Sequence, residues 1–311
     1  MSASNVKNVN KKNKIKYPKM DKQKLNKFIE LLSIPSSSNN EKMMDDYITR
    51  WLDSKDYSYN IDLTGNIIVS KGCEEYKPCI VSHIDTVHDI KTYYNKIVQS
   101  KDKKDGHTIL SSPQGIGGDD KCGIFACMEM LDHFNNINCV FFTKEETGQI
   151  GSNGIDLIEF DDSGYILQLD RWGANDFIDM YWGSKSTSVE FDHVFSPLGY
   201  RYGYSSNEGL ITDSMVLFER NVNLSCVNIS CGYYQHHTIN EYIDTNIFQN
   251  SLNFTRDLIT KLGNKKYECW NIDQWEQWDD KEKNCKQCGF LLLPHEKDYC
   301  EYCDYEKGYK V

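Results

Sequence analysis

Five short stretches of this chain combine imidazoles and carboxylates at spacings that could hold cations. KPCIVSHIDTVHD (77–89) reads as a strand running into His83 and Asp85. Residues i and i+2 of a strand share a face, so Asp85 can approach the His83 imidazole, fix its tautomer and raise its basicity as a metal ligand. In GIGGDDKCGIFACMEML (115–131), paired glycines lead into Asp119, Asp120 and Lys121 and then a helix. Adjacent carboxylates at such a turn repel one another unless cations sit there, although a single acid would serve as a helix cap. NCVFFTKEETGQIGSNG (138–154) puts Glu145 and Glu146 at the end of an apolar strand, where one could ligate a metal and the other act as general base. GYILQLDRWG (164–173) is an apolar strand ending in Asp170, and CGYYQHHTINEYI (231–243) holds His236, His237 and Glu241. Taken singly, each stretch has an ordinary explanation: a surface His beside an Asp, a capped helix, a pair of solvated acids. Taken together they are a mixed nitrogen and oxygen donor set, in which two imidazoles and three carboxylates suit two zinc ions with one carboxylate bridging.

The elements that must position these residues alternate. Leu25, Phe28, Ile29, Leu31 and Leu32 recur at helical spacing, and Ile34-Pro35 with the serines after it stops that helix. Ser38 or Asn39 can cap a second helix with Met43, Met44, Tyr47, Ile48, Trp51 and Leu52 on one face. Strand-like segments follow at 58–62, 66–70 and 78–84, then a helix at about 121–134, strands at 138–143, 164–169 and about 222–229, and a helix at about 246–262. This alternation predicts an α/β domain with a mixed, mostly parallel sheet flanked by helices. Ligands collect at the carboxyl ends of strands in such sheets, where most of the informative residues fall.

Composition narrows the class. The 311 residues are 39% hydrophobic, enough for a real core, and no apolar run approaches the length of a membrane helix. The net charge of −11 disfavours broad contact with nucleic acid and suits a protein that holds cations. The first residues lack an apolar signal core, which with the scattered cysteines predicts reduced thiols and a cytoplasmic location. Residues 1–20 are lysine-rich and read as a flexible basic tail, 21–263 as the α/β domain that carries the five stretches, the polar, Trp-rich 264–284 as a linker, and 285–311 as a small separate unit. That last unit pairs Cys285 with Cys288 and Cys300 with Cys303 in two CxxC turns, the signature of a tetrahedral zinc ribbon whose metal supplies its folding free energy. Its apolar run from Phe290 to Leu293 offers a surface for docking on the catalytic domain or on a protein partner.

The order and wording of the motifs resemble the co-catalytic dizinc exopeptidases and amidohydrolases: peptidase T, carboxypeptidase G, aminoacylases and their compact aminopeptidase relatives. The resemblance covers roughly residues 21–262 and rests on LNKFIELLSIPSSSNNEKMMDDYI, DLTGNII, HIDTV, GGDDKCG, KEETGQIG, LQLD, GLITDS and HHTINEY. It implies that His83 binds the first zinc with Asp85 orienting it, and that Asp119 bridges both metals across an Asp-Asp peptide that is commonly cis in the family. It further implies that Asp170 completes the first site, that Glu146 and His237 hold the second, and that Glu145 is the general base toward a water bridging the metals. His237 fits the H-x-x-x-E-Y/F pattern, with His236 as the alternative. Asp213 resembles the acid of a Gly-Thr-Asp loop near the substrate pocket. Many relatives insert a lid or dimerisation domain between the Asp of the fourth motif and the final His. Only residues 171–236 intervene here, so no full lid is expected. The expected function is that of a metallo-exopeptidase on short peptides, most simply an aminopeptidase, with two catalytic zincs and one structural zinc. An N-acyl amino acid amidohydrolase or carboxypeptidase, or an inactive zinc-binding adaptor, are the alternatives.

Overall fold

The computed structural model describes residues 16–269 and Lys286. In chain order the elements are α1 (Lys22–Leu32), α2 (Lys42–Ser54), β1 (Tyr59–Ile61), β2 (Ile67–Lys71), β3 (Lys77–His83), β4 (Val98–Lys101), β5 (Thr108–Ser111), α3 (Gly118–His133), β6 (Ile137–Phe142) and α4 (Ile150–Gly154). They continue with β7 (Ser163–Arg171), β8 (Asp176–Tyr181), β9 (Ser184–Lys185), α5 (Val189–Tyr202), β10 (Ser205–Gly209), α6 (Asp213–Glu219), β11 (Cys226–Ser230), β12 (Tyr233–Tyr234), β13 (Tyr242–Asp244) and α7 (Thr245–Leu262).

The main sheet runs β1-β2-β6-β3-β7-β11-β8-β10, with β9 on β8. Its centre, β6-β3-β7-β11, is wholly parallel, and antiparallel strands flank it at β2 and β8. Strands covered on both faces need apolar residues at every position, and β3 and β6 are buried throughout. Alternation then assigns the faces. Ile80 on β3 and Cys139 and Phe141 on β6 join the core beneath α1, α3 and α7, whereas Cys79, Val81, Val140 and Phe142 join a second core with Leu217 of α6. α3 lies against β3 and β7 and is buried on almost every side, as a helix carrying Ala126, Cys122 and Gly123 amid larger apolar residues can be. The fold class read from the motifs is therefore the observed one, and residues 171–236 extend the sheet and its helices without forming a separate lid.

Several details differ from expectation. Neither Ser38 nor Asn39 caps α2, which starts after Glu41 without a side-chain cap. The Ser38 hydroxyl donates instead to Asp85 Oδ2 at 2.7 Å, a stronger charge-assisted bond. A second sheet, β12-β13-β5-β4, is not legible in the sequence because its strands are too short, two to four residues each, to show a period. The chain packs on the domain beyond both expected boundaries. Met20 is buried and Tyr17 meets His107 edge-on, while Tyr267 and Cys269 are buried, the former through backbone bonds with Gly164 and Ser225. The described cysteines are free thiols, and only Cys73 among them is exposed. Cys285, Cys288, Cys300 and Cys303 lie outside the described residues, as does the zinc ribbon expected of them. No helix among the described residues is long and apolar enough to cross a membrane.

Candidate metal centre

Three neighbouring parallel strands deliver acids and an imidazole from their carboxyl ends. β3 ends at His83, β7 carries Asp170 next to its end, and the turn after β6 presents Glu145 and Glu146. The start of α3 adds Asp119, whose peptide to Asp120 is cis and whose backbone is not helical. The loop between β12 and β13 adds His237. Two glycines make the α3 turn possible. Gly117 is left-handed (φ 67°), and a Cβ on Gly118 would lie 2.8 Å from the Tyr233 Cβ.

Asp119 is the hub. Its Oδ1 lies 3.0 Å from His83 Nε2, which is 3.7 Å from Asp170 Oδ1. Its Oδ2 lies 3.3 Å from His237 Nε2, which is 3.0 Å from Glu146 Oε2. The result is two donor groups, His83–Asp119–Asp170 and Asp119–Glu146–His237, each with ligand atoms within 4.8 Å of one another and with Asp119 common to both. A third grouping, His83 with Glu145 and Glu146, links them. His83 is sealed off with a side chain 1% exposed, and His237 is 48% exposed, so the centre opens to solvent on the His237 side.

The residues around these groups hold them in place. His83 Nδ1 is 2.9 Å from the backbone carbonyl of Asp85 and 3.4 Å from its carboxylate, so the tautomer is set mainly by the main chain. The Asp85 carboxylate turns instead to the next motif and accepts the Glu145 N–H at 2.8 Å and the Glu146 N–H at 3.3 Å. The side chain of Asp120 accepts the His83 and Gly123 N–H groups at 3.1 and 2.8 Å. Asp170 accepts from the Thr212 and Tyr233 hydroxyls at 3.0 and 3.2 Å. Gln149 Nε2 donates to Glu145 Oε1 at 3.1 Å.

Electrostatics ask for positive charge. Burial alone would pull the His83 pKa down, yet the Asp119, Asp170 and Asp85 carboxylates, as acceptors facing its ring nitrogens, raise it well above the ordinary value. His237 is raised to about 10 by its bonds to Asp119 and then Glu146. Burial, then the charge on Asp119, pushes Asp170 up, and burial raises Glu145. The carboxylates around both imidazoles favour positive charge between them, and Glu146 Oε1 is buried without a hydrogen-bond partner. Imidazole nitrogens and carboxylate oxygens around such an orphaned oxygen are a donor set that fits divalent metal ions.

Among the sequence-derived candidates, His83, Asp85, Asp119, Glu145, Glu146, Asp170 and His237 come together, whereas His236 stacks against Trp172. Asp213 lies behind the centre, close enough to feel the charges of Glu145, His83 and Asp85. It is wholly buried at the start of α6, and burial followed by the nearby Glu145 charge raises its pKa to about 8. The motifs contain Asp120, Tyr233 and Glu241 without assigning any of them a role. Glu241 was visible only as the acid that closes H-x-x-x-E-Y.

With this geometry in view, the chain can be set beside solved structures. Aminopeptidase PepT from Bacillus cereus superposes with a TM-score of 0.63 at 14% identity, over 77% of this chain and 98% of that one. A tripeptidase from Staphylococcus aureus gives 0.61 at 13% identity, over 78% and 100%. The TET1 peptidase of Pyrococcus horikoshii gives 0.56 at 15% identity, over 76% and 98%. This chain shares its fold with these peptidases. In sequence it is 27% identical over 150 residues to the cytosol non-specific dipeptidase of Escherichia coli (strain K12), a match covering 41% of this chain and 29% of the relative's length. No protein-family model matches the chain. Fold and sequence likeness thus agree with the resemblance carried by the motifs.

Proposed function

We propose that the chain is a dizinc metallo-exopeptidase that hydrolyses short peptides from the amino end. The observation that carries this reading is Asp119, whose two oxygens each face a different imidazole–carboxylate group. His83, Asp119 and Asp170 would hold one ion and Asp119, Glu146 and His237 the other. Bound there, a pair of zinc ions would supply a polarised amide carbonyl and a water acidified toward neutral pH. Glu145 would take a proton from the attacking water as its oxygen bonds to the amide carbon, and would return it to the amine nitrogen as the C–N bond breaks. Burial holds the Glu145 pKa above the ordinary carboxylate value, which favours a group that must both take and give a proton. Asp85 fixes the Glu145 main chain, and Gln149 steadies its carboxylate. The exposed edge of His237 marks the side from which a peptide enters.

The relative named a cytosol dipeptidase supports a cytoplasmic setting and peptide substrates. The test is a panel of di- and tripeptides with free or blocked termini, assayed on the full chain with and without a chelator. Chelator-sensitive turnover that requires a free amino terminus is expected. Turnover of N-acylated substrates with an obligatory free carboxylate would instead make the chain an amidohydrolase or carboxypeptidase. Bound zinc without turnover of any substrate would leave only a binding role.

A further inference from the structure

The side chain of Asp119 is shared by two imidazoles, but its main chain is held by an acid that no metal group includes. Glu241 Oε1 accepts the Asp119 N–H at 3.0 Å, and Glu241 Oε2 accepts the Gly117 N–H at 2.9 Å. The same Oε2 lies 2.6 Å from His88 Nε2. Glu241 has no solvent exposure and His88 is 7% exposed. The fit is close on every side. A Cβ on Gly118 would fall 3.2 Å from Glu241 Oε1, and one on Gly115 would fall 2.1 Å from His88 Nδ1. Glu241 also follows His237 by one short loop, so a single segment brings both a solvent-facing imidazole and the group that grips the turn opposite it.

Capping a turn requires only one acceptor and tolerates solvent. A carboxylate taken wholly out of water, spread across two N–H groups and an imidazole, is a costlier arrangement than that task needs. Its geometric consequence is specific. The N–H groups of Gly117 and Asp119 bracket Gly118 and precede the cis peptide, so fixing both fixes where the Asp119 Cα starts its side chain. We propose that Glu241, locked by His88, is a positioning residue that sets the Asp119 carboxylate between the two donor groups and thereby governs metal loading of both. The inference rests on the metal-centre reading above.

The test is manganese(II) titration of the full-length chain, followed by electron paramagnetic resonance at fixed pH. Manganese suits imidazole and carboxylate donors and avoids competition from the soft thiolates of the CxxC pairs. Glu241→Gln keeps the shape but turns one acceptor into an NH2 group facing an N–H donor. It should weaken manganese binding roughly 10–100-fold, as loss of partners that orient metal ligands does, and should affect both equivalents together because Asp119 serves both groups. His237→Ala, in contrast, should weaken one equivalent far more than the other. His88→Ala should weaken both equivalents less than Glu241→Gln does, and it decides the matter if circular dichroism shows Glu241→Gln unfolded. Affinity indistinguishable from wild type in the folded variants overturns the proposal. Absence of manganese binding by the wild-type chain overturns the metal-centre reading itself.

Discussion

The Asp85 carboxylate accepts the Glu145 backbone N–H at 2.8 Å, while the Asp85 carbonyl sits 2.9 Å from His83 Nδ1. One residue therefore ties the imidazole at the end of β3 to the acid pair at the end of β6, and Ser38 anchors it from outside the sheet. The i, i+2 argument placed Asp85 beside His83 but predicted contact mainly through its side chain. The side chain is instead committed to the neighbouring strand's turn.

Asp85→Asn should therefore disturb Glu145 and Glu146 more than it disturbs His83. An amide oxygen can accept one of the two N–H groups, and the NH2 faces the other. We expect the peptidase kcat/KM to fall roughly 10–100-fold with kcat carrying most of the loss. Steady-state kinetics beside a metal titration separate the two. An unchanged kcat would show that the tie has no bearing on Glu145.

Glu145→Gln keeps volume and the Gln149 contact but cannot take a proton. Metal content should stay at the wild-type level while turnover drops about 10²–10⁴-fold, the usual contribution of a general base. Elemental analysis and initial rates on one preparation provide the check, and near-normal hydrolysis would remove Glu145 from its assigned role.

Away from the centre, Lys185 on β9 is salt-bridged to Asp179 and lies 3.1 Å from Asp192 Oδ2. Asp179 is fully buried, and Asp192 has its pKa raised to about 6, chiefly by burial. Lys185→Met would leave buried carboxylates without their cation, which costs about 3 kcal/mol or more. Urea unfolding should show a loss of unfolding free energy of that size, whereas a stability within error of wild type would mean the acids find other partners.

Asp45 on α2 offers a pH-dependent test. Burial, then the charges of Glu41 and Asp46, raises its pKa from 3.8 to about 6. The folded chain thus binds this proton more tightly than the unfolded chain, so stability falls as pH rises from about 4 through 6. Asp45→Asn removes that loss. With solvent screening of a partly exposed group, the variant should gain on the order of 1 kcal/mol at pH 7.5 and little at pH 4.5. Thermal denaturation at both values checks the sign, and equal gains at the two would refute the mechanism.

Residue order alone was enough to identify the α/β class, the buried strands and the acids and imidazoles that converge around Asp119. Buried parallel strands write themselves as continuous apolar runs, as CVFF and KPCIVSH do, and acids that follow such runs mark the sheet's carboxyl edge. What tertiary structure decided was sharing and direction: that both Asp119 oxygens are used, that His237 and not His236 points to them, that Asp213 is sealed away, and that Glu241 reaches back to the Asp119 main chain. These are relations between segments far apart in the chain. Local periodicity encodes which face a residue occupies within its own element, but the distance between two elements depends on how all the others pack.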